Sequence, residues 1–170
     1  GNGVFVNYEK GNWSEGLTVY LADYWLKERL GKGADYRRNS LIGYGDFVGK
    51  SDDFPLTDFQ TRHNKSSQAV GYGKGAFLFH QLRQMIGDSA FIFGLRHFYR
   101  FNRFKRASYG DLQSSMTIAS GQDLSDFFAQ WIRRTGAPTL SLKEVAAKEM
   151  DDGRYHIVCT VLQTQDEALY

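Results

Sequence analysis

The residues that could hold a metal ion are few in this chain. The sequence has 4 His and 1 Cys, and the histidines are His63, His80, His97 and His156. No two of them lie four residues apart around a glutamate, so the chain lacks the His-Glu-x-x-His spacing by which one helix binds zinc. Each histidine is therefore expected to be structural or exposed. The single Cys159 excludes a disulfide framework and a cysteine-based zinc site, and it is expected to be a small buried residue.

Two other segments carry polar groups at the starts of predicted helices. Residues 12–20 read Asn-Trp-Ser-Glu-Gly-Leu-Thr-Val-Tyr and contain Glu15, and residues 69–75 read Ala-Val-Gly-Tyr-Gly-Lys-Gly and contain Tyr72. A carboxylate in the first turn of a helix is favoured by the helix dipole without any metal. A tyrosine beside glycines can simply pack at a helix start. Neither residue alone indicates catalysis.

The elements that would position these segments are predicted to be helices. Apolar residues recur three and four positions apart up to about residue 138, which is typical of amphipathic helices. The first predicted helix runs from Ser14 to Gly31 and the second from Asp35 through Phe47. A third ends at Gly87, and a fourth begins at Asp88. The last two run from Ser108 to Gly121 and from Asp123 or Ser125 to Gly136. Ser108 and Asp111 have the spacing of a capping box. Residues 51–68 are polar and aperiodic, and they are expected to form a loop.

After Pro138 the pattern changes to that of strands. Apolar residues alternate on both sides of Asp152-Gly153, which indicates a β-hairpin. Because an isolated hairpin is marginal in water, residues 139–170 are expected to begin a second, β domain after a helical part formed by residues 1–138. The chain opens on Gly1-Asn2-Gly3 without an initiator Met or signal core and closes on residues 165–170 directly after a strand. It is expected to be a piece of a longer protein.

Taken together, the two polar segments carry a resemblance. The first resembles the Asn-Glu-Gly-Phe-Ala-x-Tyr segment of zinc aminopeptidases of the aminopeptidase N family, the gluzincins. The second resembles that family's Tyr-x-Lys-Gly segment. The stretch from Ile86 to Pro138 resembles the family's helical subdomain in the same order, so the resemblance covers nearly all of the chain before the hairpin. Gly1-Asn2 resembles the Gly-Asn that follows the second zinc-binding histidine.

The resemblance implies a fold, a site and a reaction. The fold is a mainly α helical subdomain of a thermolysin-like (gluzincin) catalytic domain with a short C-terminal β-hairpin. Glu15 matches the third zinc ligand, Tyr72 the catalytic phenol that stabilises the oxyanion, and Trp13 would wall the site. The implied reaction of the full-length protein is Zn²⁺-dependent hydrolysis of N-terminal peptide bonds of a peptide substrate. The chain alone is expected to be inactive and without zinc, because the two zinc-binding histidines and the segment that reads the substrate amine precede it.

The chain also departs from the family. Ser14 replaces the asparagine that usually precedes the ligand, and this change is conservative in polarity. Ala22 stands where many members have a glutamate that supports the metal site. The neighbouring Asp23 is the carboxylate that could substitute for it if the helix turns slightly.

Two other functions compete with the peptidase. The first is a non-catalytic helical interaction domain on the same scaffold. The second is a nucleic-acid-binding module that uses the alternating cations and aromatics from Arg96 to Arg106. A net charge of 21 − 19 = +2 disfavours nucleic acid and favours an ordinary solvated helix end.

Composition excludes other classes of protein. A hydrophobic fraction of 42% and an aromatic fraction of 15% exclude a disordered chain. The apolar stretches are shorter than the ~20 residues that a membrane-spanning helix needs, so a soluble chain is expected. Nothing in the sequence indicates a compartment, a side-chain preference or an oligomeric state.

Overall fold

The structure, a computed structural model, describes residues 3–49 and 51–164. Gly1 and Asn2, which resemble the family's Gly-Asn pair, and the closing stretch 165–170 lie outside the described residues. The chain divides into two compact units, Gly1–Arg134 and Thr135–Tyr170. Each unit has its own secondary structure.

The first unit is mainly α-helical, as the periodicity predicts. Within the described residues its helices are α1 (13–29), α2 (Gly33–Phe47), α3 (65–86), α4 (Asp88–Asn102), α5 (Tyr109–Ser120) and α6 (Ser125–Arg133). Two of them change their hydrogen-bond pattern along their length. Helix α1 consists of α-helical Trp13–Thr18, π-helical Val19–Tyr24 and α-helical Trp25–Arg29. Helix α3 consists of α-helical Lys65–Gln68, π-helical Ala69–Lys74 and α-helical Gly75–Ile86.

Local signals account for most helix ends. Gly87 ends α3 at φ 82° and Gly121 ends α5 at φ 70°, both in the region that favours glycine. The capping box is confirmed, because an Asp111 carboxylate oxygen accepts hydrogen bonds from the Ser108 N–H and hydroxyl, both at 2.8 Å. Asp88 was expected to cap α4, but the cap position is Gly87.

The start of α3 differs from the prediction. The helix begins at Lys65, within the stretch expected to be a loop, and Tyr72 lies two turns inside it. Asn64 caps it by accepting a hydrogen bond from the Ser67 N–H at 2.8 Å, and the Ser67 hydroxyl accepts one from the Asn64 N–H at 3.0 Å. The three glycines at alternating positions 71–75 resemble a turn in sequence, which is why the helix start was placed too late.

The start of α1 is fastened to two distant parts of the chain. The Asn12 side chain accepts a hydrogen bond from the Ser14 N–H at 3.1 Å and donates one to the Gln60 carbonyl at 2.8 Å. The buried Trp13 indole N–H donates to the Ala107 carbonyl at 2.8 Å. Ala107 belongs to β2 (Arg106–Ala107), which pairs in parallel with β1 (Phe5–Val6). This two-residue pairing has no sequence signal and was not predicted.

Helices α1 and α3 cross backbone to backbone. A Cβ atom built on Gly16 would lie 2.7 Å from the Gly75 carbonyl carbon and 2.8 Å from its Cα. Real Cβ atoms do not approach backbone this closely, so only glycine at Gly16 permits this crossing. The contact therefore sets the distance between the two segments that resemble the aminopeptidase site.

A buried arginine ties the far halves of these helices together. The Arg83 side chain, 10% exposed, binds Asp88 at 2.7 Å and Glu28 at 2.5 Å, and it donates to the Tyr20 hydroxyl at 3.1 Å. Its guanidinium also lies over the Trp25 ring, 4.6 Å from the centroid. Arg83 of α3 thus joins the π segment and the C-terminal end of α1 to the first residue of α4.

The apolar core of the first unit lies between these helices. Residues of α3 to α6 dominate it, together with Tyr20 and Tyr24 of α1. The fully buried large side chains are Tyr20, Tyr109, Phe59, Phe79, Phe91, Phe128, Leu56, Leu78, Leu82, Leu112, Met116 and Leu124. None of the helices in the described residues is both long and apolar enough to cross a membrane.

The second unit is an antiparallel hairpin of β3 (Leu140–Glu149) and β4 (Tyr155–Gln163). The turn at Asp152-Gly153 agrees with the prediction, and a bulge lies between Lys143 and Ala146. Apolar side chains are exposed on both faces of the hairpin. Cys159 is exposed as well, which corrects the expectation that it is buried.

Candidate active site

A cavity of about 610 Å³ lies between α1, α2 and α3. It is lined by Glu15, Thr18, Val19 and Asp23 of α1, by Tyr36, Ser40, Gly43 and Phe47 of α2, and by Lys65, Gln68, Ala69, Tyr72, Gly73 and Ala76 of α3. Both site residues expected from the resemblance, Glu15 and Tyr72, therefore face one space. They reach it from different helices, which cross at Gly16 and Gly75.

Glu15 lies in the first turn of α1 and is partly exposed to the cavity. Its position is fixed on both sides in sequence. Asn12 caps the helix just before it, and Gly16 directly after it is pressed against the backbone of α3. Because this turn is constrained on both sides, the Glu15 side chain is held at the cavity wall.

Tyr72 lies within the π segment of α3, and a buried aromatic ring supports it. The Phe59 ring packs edge-to-face on the Tyr72 ring with centroids 5.9 Å apart. Phe59 also lies flat on Gly71, where an added Cβ would meet its ring carbons at 2.2 Å. Gly71 thus lets Phe59 pack closely beside Tyr72 and fix the direction of its phenol. No local pattern indicates this role of Phe59.

The electrostatics of the cavity link the two residues. The pKa of Tyr72 is raised above 10.0 by partial burial, by the negative charge of Glu15 and by hydrogen bonding to Glu15, while the charge of Arg62 lowers it. The Tyr72 hydroxyl consequently keeps its proton throughout neutral pH and can act as a hydrogen-bond donor.

Asp23 also lines the cavity, whereas Ala22 is exposed and does not. In an unbroken α-helix about seven residues make two turns, so Ala22 would share the face of Glu15. The π segment Val19–Tyr24 has i→i+5 hydrogen bonds, and the extra residue in its turn moves Asp23 to that face. The π segment thus puts Asp23, and not Ala22, in the cavity lining, while the part that Asp23 plays there stays a prediction.

Helix α2 forms a wall of the cavity that sequence reasoning missed. Tyr36 is half-buried there, and both burial and the charge of Asp23 raise the pKa of its phenol. The helix itself was predicted from the sequence, but no residue of α2 was expected at the site. A wall formed by a separate helix leaves no local motif by which it could have been found.

Two residues next to the motif positions have structural roles. Trp13, expected to wall the site, is instead buried and packs edge-to-face on Phe98 with centroids 5.0 Å apart. Lys74, which had no expected role, donates a hydrogen bond from Nζ to the Arg134 carbonyl at 2.6 Å and so holds the end of α6.

The described residues do not by themselves form a metal site. Within 3–49 and 51–164, no three His, Cys, Asp or Glu side chains come together. Glu15 fits the requirement for one ligand, because its carboxylate is open to the cavity and forms no ion pair with the described cations. Zinc sites need at least two further donors.

The stretch of cations and aromatics from Arg96 to Arg106 forms the end of α4 and the turn after it. Its arginines are exposed, and the Arg103 guanidinium lies over the Phe104 ring at 4.7 Å. His97 faces inward instead, with Nδ1 3.2 Å from the Ser115 hydroxyl. These contacts are those of a solvated helix end.

Comparison with known proteins decides the family. The family described as "Peptidase family M1 domain" matches residues 13–131. The chain belongs to peptidase family M1. The match begins at the first residue of α1, includes both Glu15 and Tyr72, and ends within α6, so it lies inside the first unit.

Two known aminopeptidases are similar in sequence to different lengths of this chain. Aminopeptidase N of Lactococcus lactis is 35% identical over 77 residues, which are 45% of this chain and 9% of that protein. Alanine/arginine aminopeptidase of Saccharomyces cerevisiae is 30% identical over 108 residues, which are 63% of this chain and 13% of that protein. The chain thus spans about a tenth of the length of these M1 relatives.

A solved M1 structure shares the fold. The M1 zinc metallopeptidase from Deinococcus radiodurans superposes with a TM-score of 0.60 at 21% sequence identity, covering 78% of this chain and 29% of that one. The fold is therefore confirmed as mainly α with a short C-terminal β-hairpin, and its helical part is shared with an M1 metallopeptidase.

Proposed function

We propose that this chain supplies half of the catalytic site of a zinc aminopeptidase. Glu15 is the third zinc ligand, and Tyr72 is the hydroxyl that stabilises the oxyanion formed from the peptide carbonyl. The main support is their shared cavity, in which burial and then the carboxylate of Glu15 raise the pKa of Tyr72. Membership in family M1 supports a peptide substrate and a zinc cofactor.

The two residues need opposite protonation states for this chemistry. Zinc, when bound, acidifies a water molecule and polarises the peptide carbonyl. Glu15 must be ionised to donate an oxygen lone pair, and its negative charge matches the cation. Tyr72 must be neutral to donate a hydrogen bond to the carbonyl oxygen as negative charge develops on it. The raised pKa of Tyr72 is consistent with this division of roles.

Glu15 alone is not a zinc site. A single carboxylate competes poorly with water for zinc, which takes three protein ligands at catalytic sites. The proposal therefore includes that the isolated chain binds no zinc and hydrolyses no peptide. The two histidines and the general base come from elsewhere in the complete protein.

The proposal also covers domain organisation. Residues 1–138 form the helical part of a catalytic domain, and residues 139–170 begin a β domain. The compact unit that ends at Arg134 and the exposed apolar side chains on both faces of the hairpin support this division.

Replacing one hydroxyl tests the role of Tyr72. In the complete natural protein that contains this chain, Tyr72→Phe should lower kcat for aminoacyl arylamides by about 10²- to 10³-fold, the usual effect of losing one oxyanion donor. Bound zinc should remain at the wild-type level, because the phenol is not a ligand in this proposal. Tyr8→Phe, at an exposed tyrosine outside the cavity, is the matched control and should retain full activity.

Two results would oppose the proposal. A Tyr72→Phe protein with wild-type kcat would remove Tyr72 from the mechanism. A wild-type protein that contains no zinc and hydrolyses no arylamide would instead favour a non-catalytic interaction domain on the M1 scaffold.

A further inference from the structure

Asp23 stands apart from the other charged groups of the cavity. Asp23 lies about two turns after Glu15 in α1. The π segment Val19–Tyr24 brings it to the same face of the helix as Glu15. Its carboxylate is exposed, and no hydrogen bond or ion pair joins it to another side chain in residues 3–49 and 51–164. The pKa of the Tyr36 phenol is raised by burial and, to a smaller extent, by the negative charge of Asp23.

The charges that line the cavity do not balance. Glu15 and Asp23 are the acidic lining residues, and Lys65 is the basic one among the described lining residues. The Lys65 ammonium lies 4.7 Å from the centroid of the Phe47 ring, in a cation–π contact. If Glu15 binds a metal ion, the Asp23 carboxylate is the acidic group of the cavity lining that has no positively charged partner among the described residues.

The surfaces between Glu15 and Asp23 are largely apolar. Val19, Ala69 and Ala76 contribute methyl groups to the wall, and the Tyr36 ring closes it from α2. A cavity of about 610 Å³ has room for a long amino-acid side chain beside the peptide. Apolar walls that lead to one carboxylate and one phenol hydroxyl complement an aliphatic stem that ends in a cation.

The geometry points to Asp23 as a specificity-determining residue that binds the basic side chain of a substrate residue next to the scissile bond, with Tyr36 beside it. This inference rests on the proposed peptidase function and goes beyond it by naming the substrate class, peptides with arginine or lysine at that position. The methylene stem lies against the wall between α1 and α3. The guanidinium or ammonium meets the Asp23 carboxylate.

The experiment compares isosteric substrates that differ in charge. The complete protein is assayed with arginyl and citrullinyl arylamides, which vary the residue before the scissile bond, and with alanyl-arginine and alanyl-citrulline, which vary the residue after it. In one of the two series the wild type should prefer arginine. Asp23→Asn should lower that preference in kcat/KM by about ten- to a hundredfold, mainly through KM, as expected for loss of a charge-assisted contact.

A matched variant separates a specific contact from the overall charge. Asp35→Asn removes the same charge from α2 at an exposed position outside the cavity lining. The preference for arginine should stay within about twofold of wild type in this variant, because a distant exposed charge is screened. A reciprocal variant, Asp23→Lys, should favour glutamyl over arginyl substrates in the same series.

Each other outcome overturns the inference. An unchanged arginine preference in Asp23→Asn would show that Asp23 does not contact the substrate. An equal fall for charged and neutral substrates, together with loss of zinc, would assign Asp23 to support of the metal site. A zinc-free, inactive wild type would refute the proposed function as well, whereas an active wild type without charge preference would refute this inference alone.

Discussion

The protonation of individual residues near the site follows from burial more than from charge. Burial is the largest cause that raises the pKa values of Tyr20, Tyr36 and Tyr72, and it raises that of Tyr20 to about 12. Arg83 opposes the shift at Tyr20 through its hydrogen bond and its charge. All three phenols therefore remain neutral donors at physiological pH.

His80 of α3 is the residue that should make folding sensitive to pH. It is buried, its Nδ1 has no hydrogen-bond partner among residues 3–49 and 51–164, and its ring packs against Tyr24 with centroids 5.0 Å apart. Burial and the charges of Arg37 and Arg83 lower its pKa below 6.5, and the charge of Glu28 opposes this. The folded state thus holds His80 neutral, while the unfolded state binds a proton as the pH falls below its ordinary value.

The pH dependence follows from this difference. The free energy of unfolding should be constant above about pH 6.5 and should fall as the pH is lowered through that value towards the folded-state pKa. His80→Gln should flatten this dependence, and His63→Gln, at an exposed histidine, should not. Urea unfolding of the chain at about pH 7.5 and about pH 5.5 measures both. Equal pH dependence in wild type and His80→Gln would contradict the prediction.

At the scale of elements, the crossing of α1 and α3 determines the site. Gly16 and Gly75 let the two backbones touch, and the Arg83 network fastens the same helices further along. Both helices become π-helical beside the cavity, at Val19–Tyr24 and Ala69–Lys74. π segments recur at functional sites because the wider turn redirects side chains.

A methyl group at the crossing should therefore disturb the site. In Gly16→Ala the new Cβ meets the Gly75 backbone at 2.7 Å, and such overpacking costs about 1–3 kcal/mol. The same substitution at Gly45, in the interior of α2 with no atom within 4 Å of the new Cβ, should stabilise the helix by up to about 1 kcal/mol. Urea unfolding of the two variants should show a lower free energy of unfolding for Gly16→Ala and a higher one for Gly45→Ala than for the wild type. A Gly16→Ala chain as stable as wild type would show that the crossing is not tight.

The elements also show what could be predicted from the sequence. Helix ends at Gly87 and Gly121 and the capping box at Ser108 were predictable, because each depends on residues within one turn. The motifs predicted that Glu15 and Tyr72 share a site through a resemblance rather than through periodicity, and the structure shows both residues in the lining of one cavity. The local signals are strong where the backbone conformation itself demands a residue type.

The remaining features depend on contacts that are distant in sequence. The π segments follow no period that a single sequence displays, so the sequence did not predict the start of α3 at Lys65, and it offered Asp23 only on the condition that the helix turns slightly. The support of Tyr72 by Phe59 and the wall formed by α2 are tertiary contacts. The anchoring of Trp13 on Ala107 likewise requires a parallel strand pair too short to leave a pattern.

At the scale of the whole molecule, the chain is one M1 unit joined to a hairpin. The hairpin exposes large apolar side chains on both faces, with Tyr155 and Ile157 on one face, at 60% and 62% exposed, and Val158 on the other, at 56%. Two strands alone bury too little apolar surface to pay for ordering the backbone.

The hairpin should therefore not fold by itself. A peptide of residues 135–164 is expected to show random-coil amide shifts and fast hydrogen exchange in water, since it lacks a sheet or helix to pack against. Nuclear magnetic resonance of the peptide measures this directly. Dispersed amide shifts with protected amides on both strands would contradict the expectation and would remove the support that the hairpin gives to a following β domain.

The central claim is that Glu15 is a zinc ligand, and the zinc content of Glu15→Gln tests it most directly. In the complete protein, the wild type should bind about one zinc ion per molecule, as a single catalytic site requires. Glu15→Gln replaces an anionic ligand with a neutral amide of the same size and should lose most of the zinc after dialysis. Glu9→Gln, at an exposed glutamate just before α1, should keep it. Equal zinc in Glu15→Gln and wild type would contradict the account.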